Sequence, residues 1–307
     1  MKKHLLTFFK GMAMGSADVV PGVSGGTIAF ITGIYDTLLE SIRRVNPSII
    51  PLWRDQGFKA VWEHINGSFL SALLSGILIA IFTLAKGVTW GLATYPIILW
   101  SFFFGLIVAS ALHMIKQIES WTISKVVMVA LGTFFAWQIT VANPLTLDVN
   151  PLTVFLAGSI AICAMILPGI SGSLILLLLG MYSSILSAAK QFDVATLAIF
   201  ASGCLVGLLS FSHVLSWLLR KYRELTMTFL TGLIIGALVK IWPWKEVISW
   251  RVNSAGEQVP LIEKNLLPWT YETVVSQPSE LAVAIMMMGL GFCIVVGMEK
   301  LAHRLAD

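Results

Sequence analysis

Long apolar runs, interrupted at two places by glycine, proline and serine, dominate the pattern of this chain. Two segments, at about 8–42 and 153–189, contain helix-breaking residues near their centres. The uninterrupted runs are long enough to cross a bilayer as helices. They predict spans at about 67–85, 93–115, 123–141, 194–219, 225–241 and 281–299. The pattern therefore indicates a polytopic α-helical membrane protein, because a transmembrane barrel would show short alternating segments instead.

The two interrupted segments carry the same phrase. Residues 21–35 read PGVSGGTIAFITGIY and residues 168–182 read PGISGSLILLLLGMY, with seven of fifteen positions identical at an offset of 147. Non-helical backbone at membrane depth is tolerated only where it is buried in protein or lines a cavity. A matched pair of interrupted segments, one in each half, is the best sequence indication of a transporter's binding site.

The repeat continues beyond the motif in a second register. At an offset of 127, Gly105-Leu106-Ile107 matches Gly232-Leu233-Ile234, so the first half contains an extra connector of 20 residues near 46–66. The last spans match only at Leu131-Gly132 and Leu290-Gly291, which is either a true equivalence or a chance alignment of glycine-rich apolar segments. The chain is therefore predicted to contain two repeats, each with one broken segment followed by three spans.

Charge placement predicts how these segments cross the membrane. If each broken segment is a re-entrant hairpin and the N-terminus is inside, 14 of the 20 lysines and arginines lie on the inner face. The other six are Lys86, Lys190, Lys240, Lys245, Arg251 and Lys264. This bias follows the positive-inside rule. The two hairpins then enter from opposite faces, which makes the halves an inverted repeat.

The expected fold class is therefore an all-α polytopic membrane protein with an inverted-topology repeat. The first repeat covers residues 1–141 and the second covers residues 153–307, and each contains one re-entrant broken-helix hairpin plus three transmembrane helices. Both termini are expected on the cytoplasmic side.

Composition supports a membrane protein and argues against several other classes. Charged residues make up 12% of the chain, about half the share of a soluble protein. The net charge of +4 comes from basic residues that flank apolar segments, so the expected partner is the bilayer and not nucleic acid. The three cysteines lack metal-ligand spacing, and the sequence contains no HExxH, GxSxG or Walker A motif. We therefore predict no metal, no cofactor and no enzymatic activity.

The Gly/Ser breaks carry groups that suit an anion. A half-helix that begins after such a break presents free N–H groups, which attract anions together with the helix dipole. Hydroxyls of Ser24, Thr27, Ser171 and Ser173 add further donors. The alternative is that the small residues only permit close helix packing. Duplication together with the Pro-Gly break favours a phosphate or carboxylate site.

Charged residues near the motif are candidates for further roles. Asp18 precedes the first break, whereas Met165 stands at the equivalent position of the second half. Asp18 is a candidate for binding a coupling proton or sodium ion, or alternatively for bracing the loop. Basic residues on the predicted inner face could guide a phosphate or could only set topology and contact headgroups. These residues are Arg43, Arg44, Arg220, Lys221 and Arg223.

The doubled PG[VI]SG motif, the preceding GSADVV (15–20) and the GIYD at 33–36 resemble a bacterial membrane family of polyprenyl-phosphate translocases of the PopT type. The resemblance implies two oppositely oriented re-entrant hairpins and the return of undecaprenyl phosphate to the cytoplasmic leaflet of the bacterial inner membrane. It also implies that the site is formed by the matching motif residues. They are Ser16, Asp18, Pro21, Gly22, Ser24, Gly25, Gly26, Thr27, Pro168, Gly169, Ser171, Gly172 and Ser173.

Three functions therefore remain open at this level. The first is a translocase for a lipid phosphate. The second is a channel or secondary transporter for a small soluble anion, because broken helices serve that role equally well. The third is an intramembrane enzyme acting on polyprenyl phosphates, for which the sequence offers no evident nucleophile or metal ligands.

Overall fold

The computed structural model describes residues 2–20, 23–145, 147–252 and 258–306, and the described chain is mostly helical. The helices of the first half are α1 (Lys2–Asp18), α2 (Gly25–Ile31), α3 (Tyr35–Arg43), α4 (Ile49–His64), α5 (Gly67–Thr94), α6 (Pro96–Lys116) and α7 (Ile123–Val141). The second half contains α8 (Pro151–Ile166), α9 (Gly172–Leu178), α10 (Tyr182–Lys190), α11 (Val194–Lys221), α12 (Arg223–Ile241), α13 (Pro268–Val275) and α14 (Leu281–Ala306).

The predicted membrane spans correspond to helices of the structure. Within the described residues, five helices are long and apolar enough to cross a membrane, namely α5, α6, α7, α11 and α12. The sixth predicted span falls in α14, whose apolar part is Leu281–Gly297. The polytopic helical architecture is therefore confirmed. The predicted connector near 46–66 is itself largely helical, as α4.

A short sheet lies between α12 and α14. Strand β1 (Lys245–Val252) pairs antiparallel with strand β2 (Gln258–Asn265), and Lys245 stands opposite Asn265. Trp244, directly before β1, packs with Tyr271 of α13 and Ile97 of α6 in a small separate core. The connector between α12 and α14 is thus folded. It contains a β-hairpin, which the search for apolar runs does not predict.

Both broken segments contain two breaks. The first break separates α1 from α2 and α8 from α9 at the Pro-Gly-containing motif. The second break is at Gly33 in the first segment and at Gly180 in the second, and both glycines adopt a φ of 70°. The helices on either side of Gly180 diverge by 109°. The prediction that these two segments are interrupted helices is therefore confirmed.

Close glycine contacts hold the first helix of each broken segment against the next span of the same half. At these points a Cβ atom would overlap a carbonyl oxygen of the partner helix, so the two backbones approach closely. The glycines and the carbonyls are Gly11 with Leu73 and Gly76 with Phe8 between α1 and α5, and Gly158 with Phe200 and Gly203 with Phe155 between α8 and α11.

The remaining spans pack across the halves through contacts of the same kind. Helix α6 packs on α14 and helix α12 packs on α7, so each half supplies a span to the other. The glycines and the carbonyls are Gly105 with Met288 and Gly291 with Phe102 between α6 and α14, and Gly132 with Phe229 and Gly232 with Val129 between α7 and α12. The equivalents Gly132 and Gly291, which match only weakly in sequence, thus make equivalent contacts.

Candidate functional site

The first break is closed by its own polar groups. Ser24 is the N-cap of α2, and its hydroxyl accepts a hydrogen bond from the N–H of Gly26 at 3.1 Å. The carboxylate of Asp18 accepts a hydrogen bond from the N–H of Gly25 at 2.7 Å. Two of the free N–H groups at the start of α2 therefore already have partners within the protein.

Helix α2 is held at both ends by side chains of α1. Asp18 lies at its amino end, and the ammonium group of Lys10 donates a hydrogen bond of 2.6 Å to the carbonyl of Thr32 at its carboxyl end. A negative group at the amino end and a positive group at the carboxyl end both complement the helix dipole. Asp18 is thus a cap in this structure, which agrees with the bracing role that the sequence left open. The contact of Lys10 was not predicted, because Lys10 stands outside the repeated phrase.

The second break lacks both of these braces. At the 147-residue offset, Ala157 replaces Lys10 and Met165 replaces Asp18. Ser171 is the N-cap of α9 but makes no capping hydrogen bond with its side chain. Its hydroxyl instead lies 2.8 Å from the hydroxyl of Ser173. Helix α2 therefore has a carboxylate at its amino end, whereas α9, among the described residues, has none.

The two breaks meet. The N–H of Gly169 donates a hydrogen bond of 2.8 Å to the hydroxyl of Thr27, and the hydroxyl of Tyr35 donates one of 3.1 Å to the carbonyl of Ile166. The Ser24 hydroxyl lies 3.4 Å from the carbonyl oxygens of Met165 and Leu167. We call this meeting point the break junction, formed by residues 24–27 and 165–173.

In the break junction, the residues from the first broken segment are deeply buried, and those from the second broken segment are partly exposed. Thr27 and Ser24 are 0% and 1% exposed, whereas Ser173 is exposed beside the buried Ser171. Backbone and hydroxyl groups of both halves therefore converge on a region that can be reached from the side of α9. The N–H groups at the start of α9 and the hydroxyls of Ser171 and Ser173 are chemically suited to the oxygen atoms of a phosphate group.

Most of the predicted site residues belong to the break junction or its supports. Gly25, Gly26 and Gly172 begin the two short helices, and Pro168 is buried in the turn before α9. Ser16 lies in α1, where its hydroxyl donates a hydrogen bond to the carbonyl of Met12 at 2.8 Å. The predicted residues Pro21 and Gly22 lie outside the described residues.

Sequence analysis missed Tyr35 as a residue of this site. Tyr35 is 3% exposed and joins the first broken segment to the last turn of α8. A signal was available, because Tyr35 and Tyr182 are one of the seven identical pairs in the repeated phrase. Its side chain therefore adds a third contact between the broken segments.

The basic residues predicted to guide phosphate form a separate group around α3. Arg43 and Arg44 pair with Glu40, which also lies 3.7 Å from Arg220. Arg223 pairs with Asp36 at 2.8 Å. Four of the five predicted basic residues therefore meet acidic residues of α3, and two of them, Arg220 and Arg223, connect the second half to it.

The fifth predicted basic residue has aromatic partners. The ammonium group of Lys221 lies 5.5 Å from the ring centre of Trp217 and 5.4 Å from that of Tyr222. Within the part of the chain that the structure describes, no group of three or more histidine, cysteine, aspartate or glutamate residues is placed to hold a metal ion.

Comparison with known proteins relates this geometry to a family. A family model described as undecaprenyl phosphate translocase-like matches residues 14–259, which include both breaks. A polyprenyl-phosphate transporter of Vibrio cholerae is 58% identical over 301 residues, covering 98% of each chain. A polyprenyl-phosphate transporter of Staphylococcus aureus is 30% identical over 268 residues, covering 81% of this chain and 90% of the relative. No solved structure matches the chain.

Proposed function

This chain belongs to the undecaprenyl phosphate translocase-like family, and from that membership we propose that it carries polyprenyl phosphate across the bacterial inner membrane. The proposed substrate is undecaprenyl phosphate, moved from the outer to the cytoplasmic leaflet so that the carrier lipid is used again. The proposed orientation places both termini in the cytoplasm.

The observation that carries the proposal is the break junction. Two matched breaks, one from each half, meet through the contacts of Thr27 with Gly169 and of Tyr35 with Ile166. The phosphate is proposed to bind at the amino end of α9, where Ser171 and Ser173 present hydroxyls and, among the described residues, no carboxylate competes. At α2 the carboxylate of Asp18 already occupies the equivalent place.

The chemistry of the substrate fits such a site. A charged headgroup costs several kcal/mol or more to move through hydrocarbon without a partner. The prenyl chain is apolar and can remain in the lipid while the headgroup moves. The protein therefore needs a polar path for one phosphate group only, with a lateral opening for the chain, and the exposed side of Ser173 is the proposed opening.

We propose that movement occurs by alternating access of an inverted repeat. The equivalent glycine contacts of the two halves and the shared φ of 70° at Gly33 and Gly180 support the repeat. The exchange of spans, with α6 on α14 and α12 on α7, gives the halves common packing surfaces on which one half can shift relative to the other.

Asp18 remains the proposed coupling residue for a proton or a sodium ion. Its carboxylate is the charge at the first break, and its hydrogen bond to Gly25 would weaken on protonation or ion binding. Protonation of Asp18, or binding of an ion to it, would therefore loosen the amino end of α2 next to the break junction. The arginines around α3 are proposed to guide phosphate, and to do so each must first release the carboxylate that it now pairs with.

Reconstitution tests the substrate class. Purified protein is placed in liposomes with undecaprenyl phosphate, and the leaflet exposure of the lipid is followed with a phosphate-binding probe, with and without proton or sodium gradients. Movement of the lipid supports the proposal, and loss of gradient dependence in Asp18→Asn supports coupling at Asp18. Flux of inorganic phosphate or sulfate without lipid movement favours a small-anion transporter, and release of phosphate from the lipid favours an enzyme.

A further inference from the structure

A cavity that includes none of the break-junction residues lies between the α6–α7 turn and the first turns of α12. Its volume is about 260 Å³, far above the roughly 10–15 Å³ that a single water needs. The lining residues are Met114, Gln117, Ile118, Glu119, Lys125, Arg223, Glu224, Met227, Thr228 and Thr231. We call it the α7–α12 cavity, and it lies on the face that charge placement predicts to be cytoplasmic.

The α7–α12 cavity contains an ion pair with unequal burial. The ammonium group of Lys125 lies 2.6 Å from the carboxylate of Glu224, and their side chains are 6% and 70% exposed. Lys125 also donates to the hydroxyl of Ser120 at 3.2 Å. The positive charge is therefore fixed inside the protein, whereas the negative charge can turn into water.

This asymmetry makes Glu224 an exchangeable partner. A buried ammonium group requires an anion nearby, because desolvation without one is costly. An exposed carboxylate supplies only a weak partner, since water and side-chain entropy compete with the contact. An anion of higher charge that enters the α7–α12 cavity can therefore replace Glu224 beside Lys125.

The other lining groups favour a phosphate monoester. Such a group carries a charge of about −1.5 to −2 near neutral pH, and lysine and arginine are its usual partners. Arg223 lines the cavity and pairs with Asp36, and the two side chains are 60% and 48% exposed. Glu119 also lines the cavity, but its side chain is exposed, so its negative charge is largely solvated.

We propose that the α7–α12 cavity binds a phosphate monoester, with Lys125 as its central cation and Glu224 as the counter-ion that the phosphate displaces. The phosphate group is the shared chemistry of two sources, a lipid headgroup and free phosphate. The proposal rests on the proposed function only for the lipid source, which would be a headgroup that has left the break junction on the cytoplasmic side.

Calorimetric titration of the purified full-length protein with inorganic phosphate tests the site. We expect saturable binding that becomes about three- to tenfold tighter in Glu224→Gln, because the internal competitor is removed. Lys125→Met and the double variant Lys125→Met/Glu224→Gln are expected to lose this binding. The double variant and thermal unfolding of each protein separate loss of the ligand from loss of the fold.

Matched controls locate the effect. Glu63→Gln removes one exposed glutamate of α4 without touching the cavity, and we expect it to change phosphate affinity less than twofold. Ser171→Ala/Ser173→Ala alters the break junction, and the tightening by Glu224→Gln should persist in that background. The proposal is overturned if Lys125→Met binds phosphate as well as the unmodified protein, or if Glu224→Gln and Glu63→Gln have the same effect.

Competition identifies the source of the phosphate. Displacement by farnesyl phosphate but not by farnesol assigns the α7–α12 cavity to a lipid headgroup, and binding of inorganic phosphate alone assigns it to the free anion. Failure of the proposed function has a different signature, namely phosphate binding that depends on Lys125 in a protein that moves no lipid.

Discussion

The backbone N–H of Gly169 donates a hydrogen bond of 2.8 Å to the hydroxyl of Thr27. The contact joins the two halves at their breaks, and the Thr27 side chain is fully buried. An N–H group at a non-helical turn has no ladder partner of its own, so the hydroxyl satisfies a donor that would otherwise be left without a partner inside the protein. The break junction is therefore specified by a particular polar contact as well as by small residues.

Thr27→Val is expected to destabilise the protein while Thr27→Ser is tolerated. Valine keeps the shape but removes the acceptor for Gly169, and a buried donor left unpaired costs about 1–3 kcal/mol. Denaturant titration in detergent measures the difference between the two variants. Equal unfolding midpoints for the valine and serine variants would contradict the role of this hydrogen bond.

Gly169→Ala is expected to be more damaging than Gly33→Ala. Both glycines have positive φ, 87° and 70°, where alanine is strained by roughly 1–2 kcal/mol. Only at Gly169 would the new Cβ also lie 2.7 Å from the carbonyl oxygen of Leu233, whereas Gly33 has open space. Thermal unfolding of the two variants measures the extra cost, and a Gly33→Ala variant as unstable as Gly169→Ala would show that strain alone matters.

Lys10→Met and Asp18→Asn are each expected to loosen α2. Each removes a charge that complements one end of this helix, an effect worth about 0.3–2 kcal/mol. Amide hydrogen exchange in α2 should accelerate by about two- to thirtyfold. Helix α9 has neither brace and serves as the internal reference, so a uniform acceleration in both helices would argue against specific support by Lys10 and Asp18.

The β-hairpin is expected to show a pH-dependent stability governed by Lys245 and Glu263. Burial lowers the pKa of Lys245 to about 8, despite the attraction of Glu263 at 3.5 Å. The unfolded hairpin then holds more protons than the folded one between about pH 8 and the ordinary lysine value of 10.5, so stability rises with pH through this window. The rise should be absent in Lys245→Met, as measured by tryptophan fluorescence during unfolding at pH 7.5 and about pH 9.5. An equal rise in both proteins would contradict the assignment.

Glu263 affects stability in the acidic range of pH instead. Burial favours its protonation, but Lys245 and Lys240 together outweigh burial and lower the pKa of Glu263. The stabilisation is therefore present at neutral pH and lost as the pH falls through the lowered value. Glu263→Gln should mimic this loss at neutral pH by leaving two ammonium groups without their carboxylate, at a cost of about 3–5 kcal/mol. Unfolding of this variant that matches the unmodified protein would refute the cluster's stabilising role.

The helical framework could be predicted because its causes are local in sequence. Apolar runs and their Gly/Ser interruptions placed the spans and both broken segments, although α5 continues to Thr94 and α14 to Ala306, beyond the predicted ends at 85 and 299. The β-hairpin was not predicted, since β1 and β2 are short strands of mixed polarity, and the residues next to them, Trp244 and Leu266, pack with Ile97 of α6. Such tertiary support leaves little periodicity in the sequence.

The break junction was predicted in outline but not in its internal contacts. The repeated phrase identified Ser24 and Ser171, since serine interrupts both apolar segments, whereas Thr27 stands opposite Leu174 and was included for its hydroxyl. It left open whether Asp18 braces the first break, and it did not indicate that Lys10 supports the other end of α2. These contacts depend on the packing of α1 beside α2. The ion pairs around α3 likewise bring together residues that are nearly 190 positions apart, such as Asp36 and Arg223.

The initial rate of undecaprenyl phosphate movement in liposomes, compared between two double serine variants, tests the role of the break junction most directly. Ser171→Ala/Ser173→Ala removes the hydroxyls at the amino end of α9, and Ser183→Ala/Ser184→Ala removes two hydroxyls from α10. We predict a rate at least about tenfold lower in the first variant, equivalent to about 1.4 kcal/mol in the transport barrier, and an unchanged rate in the second. Equal rates in both variants, with both proteins folded, would contradict binding of the phosphate at the break junction.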